Sequence, residues 1–197
     1  MKVLVRENTA EINVKNSRFI AEAFIIKTQA QAREKLHEQK KRYPDASHVC
    51  HCFVCGKDGQ TNGMSDDGEP SGTAGRPMLD VLKGSGITNI LITVTRYFGG
   101  TLLGTGGLVH AYSDSVKAVL STCATEELVE KSTFSFTADY HDYQAIKRLF
   151  ENYKIESLEE NYSDSINVTG KIQKIQVSEL TSQIQDISKG KITVKIE

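Results

Sequence analysis

Asn89-Ile90-Leu91-Ile92-Thr93-Val94-Thr95-Arg96-Tyr97-Phe98-Gly99-Gly100-Thr101-Leu102-Leu103-Gly104-Thr105-Gly106-Gly107 decides the fold. Its first nine residues form an apolar, β-branched run, which reads as a strand covered on both faces. A glycine loop follows, and then a helix expected from about Gly107 to Cys123. Leu108, Tyr112, Val116, Val119 and Leu120 make the buried stripe of that helix, with His110, Ser113, Asp114 and Lys117 facing out. Upstream lies a second dense segment, Ser65-Asp66-Asp67-Gly68-Glu69-Pro70-Ser71-Gly72-Thr73-Ala74-Gly75-Arg76-Pro77. Thirteen of the fifteen glycines fall between Gly56 and Gly107. Each costs roughly 0.5–1 kcal/mol in a regular element, so their density implies unusual backbone angles or close approach to another group.

Working back toward the N-terminus, Glu11 to Lys27 reads as two strands joined by a turn at Lys15-Asn16-Ser17-Arg18. Thr28 and Gln31 fit a capping box that opens a helix with a thin apolar stripe of Ala32, Leu36 and Tyr43, ended by Pro44. Ala46 to Cys55 is a further strand. Between the two glycine segments, Pro77 opens a short helix, Met78 to Lys83.

Beyond Lys131 the texture changes. Glycine nearly vanishes, and the pattern runs strand (134–140), helix (142–153), strand (155–160), strand (165–175), helix (178–188), strand (191–197). This βαββαβ order is that of a ferredoxin-like unit. Two domains are expected, 1–131 and 132–197.

The chain is 39% hydrophobic and 25% charged, with net charge −1. Residues 1–130 carry 15 Lys+Arg and 15 Asp+Glu, and residues 131–197 carry 9 and 10, so neither half is a basic domain of the kind that binds DNA non-specifically. No apolar run approaches the roughly 18 residues of a membrane span, and Met1–Glu7 has no signal-peptide hydrophobic region. A cytoplasmic location without membrane contact is the expectation.

A strand, a glycine loop and a helix N-terminus together present backbone N–H groups to an anion. Gly99-x-x-x-x-Gly104 spaces like the start of a phosphate-binding P-loop, but Thr105-Gly106 follows where lysine is required. The dinucleotide fingerprint fails at Val109. A general anion or backbone-contact site survives, with Arg76 and Arg96 as its charge partners. Asp66, Asp67 and Glu69 could hold Mg²⁺ beside a phosphate, or form a solvated acidic turn, or pair with Arg76. The candidate ligand set is therefore His48, Asp66, Asp67, Glu69, Ser71, Gly72, Thr73, Gly75, Arg76, Arg96, Tyr97, Gly99, Gly100, Gly104, Gly106, Gly107 and His110. His48, Cys50, Cys52 and Cys55 can be written as a zinc set, with buried free cysteines as the blander account. No catalytic relay can be placed by spacing, and no cofactor is called for.

The two glycine segments, with Ser17-Arg18-Phe19-Ile20, Ala46-Ser47-His48-x-Cys50 and Ala111-Tyr112, resemble the signature of the IMPACT/YigZ family. That resemblance spans essentially the whole chain. It implies an α+β architecture: an N-terminal ribosomal-protein-like (S5 domain 2-like) β-α-β domain and a C-terminal ferredoxin-like domain similar to the last domain of elongation factor G. Eukaryotic members act in translational control, by competing for an activator of a kinase that phosphorylates an initiation factor. Here His110 stands where the family usually has Arg, and Leu102 where Lys is frequent, which removes two permanent cations beside the second loop. The expected function is that of a non-enzymatic protein that binds RNA, the ribosome or a translation factor. The alternative is a metal-dependent enzyme or binder acting on a phosphorylated small molecule. Oligomeric state is left open.

Overall fold

A computed structural model describes all residues, 1–197. The chain divides into two compact units, Met1–Leu128 and Val129–Glu197. The first contains, in order, β1 (Lys2–Leu4), β2 (Asn8–Val14), β3 (Ser17–Ile25), α1 (Gln29–Arg42), β4 (His48–Cys55), β5 (Thr61–Ser65), α2 (Gly75–Gly84), β6 (Ile90–Tyr97), α3 (Gly104–Thr122) and β7 (Thr125–Glu127). The second contains β8 (Lys131–Ala138), α4 (Tyr140–Phe150), β9 (Glu156–Tyr162), β10 (Ile166–Gln173), α5 (Val177–Ile187) and β11 (Lys195–Ile196). Both units are α+β, and no helix is long and apolar enough to cross a membrane.

In the first unit a five-stranded antiparallel sheet runs β2-β3-β6-β4-β5. The strand read as doubly covered, β6, is its centre. Ile90, Ile92 and Val94 face α2 and α3, while Leu91 faces α1. Cross-strand register sets the layers: Phe19, Arg96 and His48 lie abreast, as do Ala21, Val94 and Cys50. Against these rows pack Met78 and Leu82 of α2 and Leu108, Tyr112, Val116 and Val119 of α3. Each fully buried aliphatic or aromatic side chain contributes about 1.5–3 kcal/mol.

Helix α1 is held more thinly. Thr28 Oγ1 accepts from the Gln31 N–H at 3.3 Å, so the expected cap forms, but the return bond of the box shifts by one residue: Gln31 Oε1 accepts from the Lys27 N–H at 2.6 Å. Only Ala32 and Gln39 are fully buried on the helix, however, and Leu36 and Tyr43 of the expected stripe are only half-buried. The β2–β3 hairpin turns through Lys15 (φ 45°) and Asn16 (φ 66°), both left-handed as a tight hairpin requires. The short pair β1 and β7 forms its own antiparallel ribbon, with Lys2 opposite Glu127.

The second unit has sheet order β11-β8-β10-β9, with α4 and α5 contributing Tyr143, Ile146, Phe150, Leu180 and Ile184 to the core against Phe134, Phe136, Ile166 and Val168. The strand expected over residues 191–197 pairs for only two residues, Lys195 with Ser135 and Ile196 with Phe134. Ile192 is nevertheless buried in that core.

Candidate functional site

The first glycine segment folds into a turn with Asp67 (φ 45°) and Gly68 (φ 87°) in left-handed geometry. Asp66 organises it from within. One carboxylate oxygen accepts from the Ala74 and Gly75 N–H groups at 3.0 and 2.8 Å, the other from Gly72 at 2.9 Å. Asp66 thus supplies the cap that Ala74, the residue preceding α2, lacks. Burial raises its pKa, but the three N–H donors outweigh this and hold the carboxyl below its ordinary value. Asp67 does different work: Oδ2 accepts from the Val49 N–H at 2.7 Å, and Oδ1 takes the Lys40 ammonium. Its carbonyl accepts from His48 Nδ1–H at 2.8 Å, which turns Nε2 toward Glu69, 3.9 Å from Oε2.

Glu69 is the centre of a buried network. Its Oε1 accepts from Arg96 Nη1 and from the Tyr112 hydroxyl, both at 2.7 Å. The Arg96 guanidinium is flanked by the rings of Phe19 and Phe98, 5.5 and 5.6 Å from their centroids, and Nη2 donates to Ser17 Oγ at 3.4 Å. Its Nε is buried and has no acceptor. Cys50 Sγ lies 3.4 Å from the Tyr112 oxygen and 3.0 Å from the Asp66 carbonyl. Burial, with the nearby carboxylates, pushes the Cys50 thiol up to about 12 against a partial opposing effect of the Tyr112 hydrogen bond. Burial likewise raises the Tyr112 phenol, reinforced by Cys50 and Glu69.

The second glycine segment is tied down at its start. The Phe98 N–H donates to Ser47 Oγ and the Gly99 N–H to Ser17 Oγ, at 3.2 and 3.1 Å. Gly99 also presses on the hairpin tip, where an added Cβ would stand 2.0 Å from the Asn16 carbonyl carbon. From Gly100 (φ 82°) the chain swings to Gly104 (φ 73°) and enters α3 with no side chain capping its first turn.

The two segments meet around a cleft of about 530 Å³. Gly68, Glu69 and Pro70 line it from one side and Phe98, Leu102, Leu103, Gly104 and Thr105 from the other, over His48 and Arg96. Leu102 is 83% exposed and Phe98 49%, so the rim is apolar.

Several expected placements change. Arg76 Nε–H is shared between the two Asp80 carboxylate oxygens, at 2.9 and 3.0 Å, on the surface of α2, so Arg76 pairs with none of the three loop carboxylates. Arg96 is neutralised by Glu69 instead of standing free for phosphate. Asp66, Asp67 and Glu69 each face separate partners, so they do not converge on a metal. The zinc set divides because successive strand residues alternate faces: Cys50 and Cys52 lie under α2 and α3, and Cys55 lies under α1. Tyr97, opposite in direction to Arg96, donates to Asp45 at 3.3 Å. Thr73 Oγ1 closes the loop on the Pro70 carbonyl, and Ser71 and His110 are exposed away from the cleft lining. Ser17, Ser47, Phe98 and Leu102 stand outside the candidate ligand set drawn from sequence. Large apolar residues inside a glycine loop were the available signal.

A family model for the Impact N-terminal domain matches residues 15–120, more than half of the chain. This chain belongs to the IMPACT family. A second model, of a domain of unknown function (DUF1949), matches residues 136–191. An IMPACT family member of Haemophilus influenzae is 36% identical over 188 residues, covering 94% of this chain and 91% of the relative. The IMPACT family member YigZ of Escherichia coli is 34% identical over 181 residues, covering 91% and 89%. A crystal structure described as that of a hypothetical protein superposes with a TM-score of 0.71 at 32% identity, covering 98% of this chain and 95% of that one.

Proposed function

We propose that this IMPACT-family chain is a non-enzymatic binding protein of translation, which seats an apolar segment of a protein partner in the cleft between its glycine loops. One observation carries the reading: both loops wall a single recess whose rim is apolar and whose one arginine is already neutralised. The family resemblance supplies translation as the setting. RNA phosphate fits less well, because Arg96 and His48 are the only basic side chains lining the recess, and affinity for phosphate scales with free cations. A metal-dependent phosphoryl chemistry would need carboxylates that here serve Asp66's cap, Asp67's bonds to Val49 and Lys40, and Glu69's pair with Arg96.

Co-sedimentation with ribosomes and affinity capture of translation factors, at low and rising salt, test the proposal. Retention should survive added salt and be lost in Leu102→Asp. Retention that collapses with a steep salt slope, about 0.7 log units per log unit of salt for each single-strand phosphate contacted, would return the reading to RNA. A Leu102→Asp variant that binds as wild type would move the interface elsewhere.

A further inference from the structure

We infer that the partner segment anchors in the cleft through a tryptophan, whose indole N–H is taken by Glu69 Oε2 and His48 Nε2 on the cleft floor. This rests on the docking reading above and names the side chain that fills the recess.

The floor is short of a proton. Glu69 Oε1 is filled by Arg96 and Tyr112, but Oε2 accepts no hydrogen bond. The Glu69 side chain is only 3% exposed, yet Oε2 is not sealed from solvent as Arg96 Nε is. A carbonyl only accepts, so the bond to Asp67 fixes the hydrogen of neutral His48 on Nδ1 and leaves Nε2 a lone pair. Nε2 makes no hydrogen bond either, and its 3.9 Å separation from Glu69 Oε2 is too long for one. Two acceptors therefore face each other with no donor between them. A nearly buried acceptor left unpaired is costly, and an incoming donor recovers that cost, most of all at a carboxylate.

The surroundings select the kind of donor. Glu69 and Arg96 cancel, so an ammonium or guanidinium would give up its water without a net opposite charge to meet it. The donor is therefore neutral. The walls, Pro70, Phe98, Leu102, Leu103 and Leu108, require that it be mounted on a large apolar body. An indole meets both demands, since its ring is broad and apolar and its N–H only donates. A phenol or a carboxamide brings an acceptor of its own, while the Arg96 and Tyr112 donors beside the floor are already spent on Glu69 and Ser17. A recess of about 530 Å³ is of the size that takes such a group, and tryptophan in a central, desolvated pocket is a frequent source of binding energy.

The chain itself contains no tryptophan, so indole emission reports the ligand alone. The test titrates the full chain into short apolar peptides that carry one central Trp or its N1-methyl analogue, and follows the blue shift of emission. Matched Phe and Tyr peptides, and adenosine as a neutral base with an exocyclic amine, are read by displacement of the Trp peptide. The Trp peptide should bind at least about tenfold more tightly than the N1-methyl and Phe peptides, because both lack the N–H and Phe adds no bulk. His48→Ala, checked for folding by its thermal transition, should narrow that ratio, and Leu102→Asp should remove binding of every peptide. Equal binding of the Trp, N1-methyl and Phe peptides overturns this inference and leaves apolar docking standing. A Tyr peptide or adenosine that binds as tightly as the Trp peptide overturns it too, and adenosine would return the cleft to nucleic acid. A ratio unchanged in His48→Ala overturns the two-acceptor floor. No binding of the Trp peptide up to about 1 mM also overturns the inference, and only if Leu102→Asp also keeps its translation partners does the docking proposal fall with it.

Discussion

Glu69 and Arg96 meet at 2.7 Å with 3% and 6% of their side chains exposed, across 27 residues of sequence. A buried pair of this kind is strongly coupled, because removing one partner strands the other charge away from water. Arg96→Met or Glu69→Ala alone should cost about 3–5 kcal/mol, and the double variant Glu69→Gln with Arg96→Met should recover much of that loss. Tyr112→Phe, which deletes a hydroxyl donating to the same carboxylate, should cost about 1.5–3 kcal/mol. Urea unfolding reads all four variants. A single variant as stable as wild type would show that the pair is not formed.

Asp66 gives a pH signature. Its folded pKa lies below the ordinary 3.8, so its stabilisation is complete above that value and disappears as pH falls through the depressed folded value. Asp66→Asn should lower stability by about 0.5–2 kcal/mol at neutral pH, as loss of a helix cap does, and this deficit should shrink in acid below pH 3.8. Melting temperatures of both proteins between neutral pH and the acid limb check it. A constant deficit across that range would remove the carboxylate's charge from the account.

The four cysteines should react in sequence. Burial holds the Cys50 and Cys52 thiols far above the ordinary range and also raises Cys55 and Cys123. Cys123 alone is not fully buried. Under native conditions an alkylating reagent at mildly alkaline pH should label Cys123 first, with Cys50 and Cys52 modified only on unfolding. Mass spectrometry of partial digests decides, and rapid native labelling of Cys50 would contradict the geometry.

The glycines of the second loop should separate by role. Gly99→Ala drives a methyl group into the Asn16 backbone and should be destabilising. Gly106→Ala meets nothing within 4 Å, lies inside α3, and should stabilise by about 0.8–1 kcal/mol. Thermal denaturation of the two variants tests the contrast. Equal effects would mean that Gly99 is not in contact with the hairpin.

Elements whose stability comes from local pattern were legible in sequence. The Thr28–Gln31 cap, the doubly covered strand through Ile90–Val94 and the strands through 134–138 and 166–173 carry their signal within a few residues, whereas the run over 191–197 does not hold as a strand for more than two. The short strands Lys2–Leu4, Thr61–Ser65 and Thr125–Glu127 carry none, because they are edge segments ordered by their neighbours. Both glycine loops enter one candidate ligand set on sequence grounds, but the state of their charges is not legible there. Arg96 is silenced by Glu69 through a tertiary contact that no spacing reveals. Arg76 is different: its partner Asp80 stands four residues on, the ordinary helical pairing distance, and could have been read.

Residues 2–4 zip onto 125–127, and the Lys2 N–H donates to Gly86 beyond α2 while its carbonyl accepts from Thr88. The opening residues therefore clasp both the approach to the central strand and the exit from the last helix of their unit. A fragment trimmed to the span 15–120 would shed this clasp together with the whole of β2, leaving β3 as a raw edge against solvent. Excision at 128, with the first five residues kept, preserves a closed body, so that is where a protease-resistant fragment should end.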